Sequence, residues 1–136
     1  MRLGRRQMQA RLRDDAAFAE WYVEEFMQLH LPTQYHSVSA QGKREMVANG
    51  RGWARRCGFE DAEAQAHFVT LMWKVGADFF RHPGFVEVAG RRDGAEMARA
   101  DAFYAVMPEL AAAAIRGADD RYWYPVENGI PLEEVA

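Results

Sequence analysis

Apolar residues recur along this chain at intervals of three and four positions, the spacing that places them on one face of an α-helix. The first run covers residues 14–31, where Asp14 and Asp15 suit the positive end of a helix dipole. Leu31-Pro32 ends the run, because a residue before proline avoids the helical region. The predicted apolar stripe consists of Phe18, Trp21, Tyr22, Phe26 and Leu29.

A second helix is predicted from about Ser39 to Cys57, with Gly58 as its left-handed terminator. Gly50 and Gly52 lie inside it, and each costs about 1 kcal/mol relative to alanine. Either a kink or the close approach of another helix would explain these glycines, and we favour close approach. The apolar positions of this helix are Met46, Val47, Trp53, Ala54 and Cys57.

The third predicted helix has the clearest stripe, and we expect it to lie at the centre of the domain. Acidic residues Glu60, Asp61 and Glu63 precede the stripe, and the sequence His82-Pro83-Gly84 stops it. Trp73 and Phe80 lie off the stripe, which predicts burial on more than one side. The stripe consists of Ala64, Phe68, Leu71, Met72, Val75 and Phe79.

A fourth helical pattern covers residues 93–116 and is closed by Gly117. Pro108 lies inside it and would clash with the carbonyl of Tyr104, so we expect a kink or two helices that meet near Met107. No strand-like alternation exceeds four residues. The pattern predicts an all-α fold, a compact bundle of four to five helices over residues 1–117, followed by an extended tail over residues 118–136.

The predicted tail combines adjacent aromatic residues with two prolines, which favour extended geometry. It either covers a groove on its own bundle or anchors a protein partner, since Trp and Tyr are over-represented at binding hot spots. On the second interpretation, truncating Trp123 or Tyr124 would weaken binding and leave thermal unfolding nearly unchanged. The candidate partner-binding residues in the tail are Tyr122, Trp123, Tyr124, Pro125 and Ile130.

Charge and composition narrow the classes of function. The 136 residues carry a net charge of −3, which gives no electrostatic footprint for nucleic acid. No run of about 18 apolar residues occurs, so we expect no membrane span. The single cysteine, Cys57, cannot form an internal disulfide, which fits a cytoplasmic location. The five arginines of residues 1–13 are expected to lie on the solvated first turn or two of a helix, and a basic arm that contacts phosphates or a membrane is the alternative. These arginines are also a candidate complement to the acidic tail.

Arg51 and Arg55 lie four positions apart on the second helix, which places both guanidinium groups on one face. They form either a solvated surface or a patch for an acidic partner. The histidines lack the spacing of zinc ligands, and we expect Asp78 and His82 to pair at a helix end. His67 and Cys57 are predicted to be structural and buried at least in part. The sequence therefore nominates no catalytic residue, no metal and no cofactor.

Residues 50–85 contain a set of glycine, aromatic and apolar positions that are typical of helix packing and turns. These are Gly52, Ala54-Arg55, Cys57-Gly58-Phe59, Phe68, Leu71-Met72, Gly76, Phe79 and Pro83. The pattern resembles small helical proteins encoded in bacterial type VI secretion loci, beside spike proteins, PAAR-repeat tips and effector-adaptor chaperones. Cys57 stands where those proteins usually have an aromatic residue.

The resemblance implies a non-enzymatic cytoplasmic accessory protein. Its partner would be an effector-adaptor chaperone, with a co-chaperone role in delivery, or a toxin that it neutralises as an immunity protein. A helical bundle that binds a small ligand is a third hypothesis from a different class. The sequence leaves the oligomeric state open.

Overall fold

The computed structural model describes residues 9, 10 and 12–132, and every regular element within them is helical. Helix α1 begins as Asp15–Trp21, continues as a π-helical segment, Tyr22–Met27, and closes with the turn Gln28–His30. Two 3₁₀ turns, Phe79–Arg81 and Asp120–Trp123, supplement the helices. The other helices are α2 (Pro32–Ser37), α3 (Ala40–Arg56), α4 (Ala62–Lys74), α5 (Phe85–Ala89), α6 (Glu96–Tyr104) and α7 (Pro108–Arg116).

The all-α prediction is confirmed, but the described chain forms seven helices where four to five were expected. Helices α2 and α5 were missed because each is too short to show an apolar period. Pro32, expected only to end the first helix, also opens α2, where a proline at the first position loses no hydrogen bond. The fourth pattern divides into α6 and α7, with Met107 preceding α7, as one of the two alternatives predicted.

Side-chain caps begin the longer helices at the positions that the sequence indicates. Asp14, Ser39 and Asp61 accept hydrogen bonds from backbone amides three residues ahead, at 3.0–3.1 Å. Such caps satisfy donors that have no partner within the helix. Gly58 adopts a φ of 86°, so the predicted left-handed terminator of α3 is confirmed.

The third predicted helix is shorter than its stripe suggested. Helix α4 ends at Lys74, and Phe79 belongs to a separate 3₁₀ turn, so the stripe is not one continuous helical face. Phe79 and Phe80 are nevertheless fully buried. Helix α4 is buried on more than one side, as predicted. Four of the five consecutive residues from Ala64 to Phe68 are buried, and consecutive residues point to different sides of a helix.

Helices α3 and α4 pack closely, and Gly50 explains how. A β-carbon on Gly50 would lie 3.1 Å from the Met72 sulfur and 3.2 Å from a methyl group of Val69. The favoured interpretation, close approach of a second helix, is therefore confirmed for Gly50, and α3 runs unbroken through it. A β-carbon on Gly52 would meet only the flexible end of Arg56.

One hydrophobic core joins these elements. Aromatic rings fill the space between α3, α4, α6 and the first 3₁₀ turn, with Phe68 in contact with the rings of Phe59, Phe79, Phe80 and Phe103. Tyr22, from the π-helical segment of α1, adds a buried hydrogen bond of 2.8 Å to the hydroxyl of Thr70. Tyr122 and Trp123 of the segment after α7 belong to the same core.

Candidate functional site: a cleft between the bundle and the tail

The segment after α7 folds onto the bundle through hydrogen bonds from α3. The indole N–H of Trp53 donates to the carbonyl of Tyr122 at 2.9 Å, and the amide of Asn49 donates to the carbonyl of Trp123 at 2.8 Å. Both donors lie on α3, and Trp53 is fully buried. A carbonyl that is removed from water needs such a partner. The two bonds therefore fix the position along α3 at which the 3₁₀ turn Asp120–Trp123 packs.

A buried carboxylate holds the start of this segment. Asp78 is 3 % exposed, and one of its oxygens accepts a hydrogen bond of 2.9 Å from the backbone amide of Asp119. Its other oxygen lies 3.1 Å from Nε2 of His82, so the predicted pair forms. It forms across a 3₁₀ turn and not at a helix end, because α4 has already stopped. The carboxylate thereby ties the turn after α4 to the tail.

Between these two anchors the tail leaves an open cleft of about 530 Å³. Its wall is the pair of indoles Trp73 and Trp123, whose ring centroids are 4.3 Å apart. Within the described chain, the buried Nε1 of Trp73 has no hydrogen-bond acceptor. The remaining apolar lining comes from Met46, Met72, Val75, Ile115 and Ala118.

Charged groups stand around the cleft. Lys74 and Asp120 line it, and both are exposed. The hydroxyl of Tyr124 donates to a carboxylate oxygen of Glu45 at 3.2 Å. Burial raises the pKa of Tyr124, and the hydrogen bond to Glu45 acts in the same direction, so this hydroxyl stays a donor at neutral pH. The cleft therefore combines an apolar floor with a polar rim.

The structure places the predicted tail residues in two groups. Tyr122, Trp123 and Pro125 are buried, whereas Tyr124 and Ile130 are half-buried. The interpretation that the tail covers a groove on its own bundle agrees with the structure at Tyr122, Trp123 and Pro125, whereas residues 126–129 are exposed. The segment is not extended, because Asp120–Trp123 forms a 3₁₀ turn and the amide of Ile130 closes a loop onto the carbonyl of Pro125 at 2.8 Å.

Arg51 is buried and joins α3 to the residues just before α1. It is not part of a solvated face, which corrects the expectation from the sequence. It is 3 % exposed and stacks over the ring of Phe18, with its guanidinium carbon 4.3 Å from the centroid. Its Nε donates to Gln65 at 2.8 Å. Its other nitrogens donate to the carbonyls of Leu12, Arg13 and Asp14 and to the carboxylate of Asp15.

The electrostatics around Arg51 follow from its burial. Loss of solvent lowers the pKa of the Arg51 guanidinium, and the neighbouring charge of Arg55 adds to this, whereas Asp15 opposes it. Arg55 is more exposed and pairs with the same carboxylate oxygen of Asp15 at 2.9 Å. Both predicted arginines are therefore paired with an acid of their own chain, and they lie apart from the cleft.

The basic amino-terminal residues Arg2, Arg5, Arg6 and Arg11, considered as a complement to the acidic tail, lie outside the described residues. Within the tail, Arg121 already pairs with Asp119 at 2.8 Å. The carboxylates of Glu133 and Glu134 also lie outside the described part.

A second, smaller pocket of about 220 Å³ lies between α1 and α4 and bears on the small-ligand hypothesis. Trp21 and Phe26 line it, and Phe26 belongs to the π-helical segment, a local irregularity frequent at functional sites. His67 lies at its edge, half-buried, with Nδ1 3.1 Å from the hydroxyl of Tyr104. The predicted hydrogen-bonded, partly buried state of His67 is therefore confirmed.

Cys57 is fully buried, as predicted, and burial raises the pKa of its thiol to about 12. The described residues contain no cluster of three or more side chains able to hold a metal ion. None of the described helices has the length and apolarity needed to cross a bilayer.

Of the residues that line the cleft, Trp123 and Tyr124 were predicted as partner-binding residues, whereas the others were not. Met46 and Met72 were read only as core positions, and Ile115 was not singled out. The signal for Asn49 in the sequence is its position as a polar residue beside the apolar positions of α3, where a side-chain amide that is removed from water needs a hydrogen-bond partner.

No protein-family model matches this chain, and the comparisons with curated proteins and with solved structures give no match either.

Proposed function

We propose that this protein is a non-enzymatic, protein-binding accessory factor of type VI effector delivery, acting in the cytoplasm as a co-chaperone or adaptor partner. The observation that carries the proposal is the open cleft between the bundle and the tail. Its lining combines two tryptophans with two methionines, residue types that are enriched where proteins bind one another. The resemblance of residues 50–85 to proteins of type VI secretion loci supplies the biological context.

The cleft suits a protein segment with apolar side chains. Its volume of about 530 Å³ lies within the range of established binding pockets. Methionine side chains are flexible and adapt to different apolar surfaces, which suits a protein that holds a partner transiently. Lys74 and Asp120 on the rim would set the orientation of the bound segment through charge. An amphipathic helix of the effector or its adaptor fits this description.

An immunity role is the second candidate, and the charge of the rim favours it. Glu45 is exposed beside Tyr124, and Asp120 lines the cleft. Glu127 acts on the pKa of Tyr124 in the raising direction, so it stands in the same region. These three acids against Lys74 give this side of the cleft a negative balance of charge, which would complement the basic surface of a toxin that cleaves nucleic acid. In this role the protein would bind the toxin domain itself.

Co-purification with type VI effector-adaptor chaperones and effectors, supplied as purified proteins, tests the proposal. The full-length chain should be used, since residues after Gly117 complete the core. Met46→Glu places a charge on the floor of the cleft, and Tyr124→Ser removes half-buried rim surface. Leu29→Glu is the matched control, because Leu29 is 75 % exposed and is not among the residues that line the cleft.

We expect the two cleft variants to lose the adaptor or effector and the Leu29 variant to retain it. If all three variants retain the partner equally, the cleft is not the binding surface. Co-expression with the toxin separates the two roles. An immunity protein restores growth of cells that express the toxin domain, whereas a co-chaperone binds the adaptor without that domain and leaves toxicity unchanged.

A further inference from the structure

Helix α7 presents a face that the rest of the described chain leaves open. Of its residues, only Ala114 is buried. Glu109, Ala112, Ala113 and Arg116 follow one another at the i, i+3, i+4 and i+7 positions, which places them on one side of the helix. Glu109, Ala113 and Arg116 are exposed, and Ala112 is half-buried. We call these four residues the α7 stripe.

The charges of the α7 stripe are complementary to those of a second copy that packs antiparallel to it. An acid stands at the amino-terminal end, a base stands at the carboxy-terminal end, and two alanines lie between them. If two copies pair antiparallel, with the two-fold axis between Ala112 and Ala113, Glu109 of each copy lies opposite Arg116 of the other. A two-fold interface requires such self-complementarity. We propose that α7 is the contact surface of a homodimer.

A neighbouring apolar side chain supports the same contact. Ile115, which also lines the cleft, borders the α7 stripe and is 52 % exposed. Association would remove part of this surface from water. The small alanine side chains at the centre allow the two helix backbones to approach closely, and the opposite directions of the helices align their dipoles favourably.

The charged ends of the α7 stripe are available for such pairing. Within the described residues, neither Glu109 nor Arg116 takes part in an ion pair or a side-chain hydrogen bond. Their signs also suit the dipole of their own helix, which offers an explanation that needs no second copy. The two explanations differ in what happens when the charges are exchanged.

Sedimentation equilibrium of the full chain, from low micromolar to several hundred micromolar protein, tests the proposal. We expect a concentration-dependent dimer, since a contact built on one short helix is small. Glu109→Arg and Arg116→Glu each oppose like charges twice across the axis and should weaken dimerisation roughly tenfold. The double variant Glu109→Arg/Arg116→Glu restores opposite charges and should recover dimerisation close to that of the unmodified chain.

Glu20→Arg, a charge reversal on the exposed surface of α1, is the control and should leave the dimer unchanged. If the charges serve only the helix dipole, the double variant gains nothing in association and has the lowest melting temperature of the set. That result, or a monomer over the whole concentration range, overturns the proposal. Met46 and Tyr124 lie outside α7, so loss of partner binding in the cleft variants and loss of the dimer are separate outcomes.

Discussion

Gly76 lies directly beneath Ala118, so closely that a β-carbon on Gly76 would stand 2.7 Å from the β-carbon of Ala118. The chain leaving α4 and the chain leaving α7 cross at this point. A side chain at position 76 would push the two segments apart. The absence of a side chain at this position is therefore what permits the tail to reach Asp78 and the core.

The crossing predicts that Gly76→Ala destabilises the protein by about 1–3 kcal/mol, the usual cost of overpacking. Displacement of Ala118 would also stretch the hydrogen bond from the amide of Asp119 to Asp78. Urea denaturation measures the change. Adding Ala118→Gly in the same chain removes the nearest atom and should recover most of the loss; a double variant as unstable as the single one would contradict this account.

The two glycines within α3 should respond in opposite directions to the same substitution. Gly50→Ala forces a β-carbon against Met72 and Val69, so we expect lower stability. Gly52→Ala meets only the flexible guanidinium of Arg56 and should raise stability by about 0.5–1 kcal/mol, the gain expected for alanine in a helix. Paired urea denaturation curves check this, and destabilisation of both variants by equal amounts would show that packing does not distinguish them.

Trp123→Ala is now expected to lower the melting temperature strongly. The sequence alone favoured little change on the partner-binding interpretation, but Trp123 is only 5 % exposed and packs on Trp73. Truncation of a buried aromatic residue costs about 3–5 kcal/mol. Tyr124→Ala removes a half-buried side chain and should cost clearly less. Thermal unfolding of both variants, followed by circular dichroism, gives the comparison, and equal melting temperatures would refute it.

Arg51 and Arg55 should differ sharply although both contact Asp15. Arg51→Met leaves Gln65 and three backbone carbonyls without their donor, and each buried acceptor left unsatisfied costs about 1–3 kcal/mol. Arg55→Met breaks an exposed ion pair worth at most about 1 kcal/mol. Arg51→Lys should rescue little, because one ammonium group cannot reach acceptors arranged around a guanidinium. Denaturant unfolding of the three variants tests this ranking.

The Cys57 thiol should resist modification in the folded protein. Burial raises its pKa to about 12 from 9.0, so the folded state holds the proton more tightly than the unfolded state does. This contribution to stability is complete below about pH 9 and is lost as the pH rises towards 12. Labelling with a thiol reagent at pH 8 should therefore follow global unfolding, and rapid labelling of the native protein would contradict the assignment. A Cys57→Ala variant should show less loss of stability over this alkaline range.

Local signals in the sequence were enough to locate most helices. Ser39 and Gly58 marked both ends of α3, since a cap and a left-handed terminator depend on neighbouring residues only. Pro108 divided the last helical pattern for the same reason. The end of α4 was placed too late because the apolar stripe continues to Phe79, and the break depends on the crossing of Gly76 and Ala118, which are distant in sequence.

The candidate site was harder to predict, because it arises where separate elements meet. Periodicity assigns Met46 to an apolar face, but it does not show that the tail leaves Met46 only half-buried beside the cleft. Arg51 was misplaced for a related reason. Its acceptors are mostly backbone carbonyls just before α1. Every residue has a backbone carbonyl, so the sequence does not show which of them will accept a hydrogen bond.

The hydrogen bonds from Asn49 and Trp53 to the tail have a consequence for synthesis on the ribosome. Helices α3 and α4 leave the ribosome well before residues 118–123 do. One side of Trp53 therefore stays exposed in the nascent chain until these residues follow. Translation adds about 5–20 residues each second, so this interval lasts for seconds. During it the exposed aromatic surface is open to trigger factors and other chaperones that bind unfinished chains. Folding of this domain is therefore completed late, by the segment that also forms the edge of its cleft.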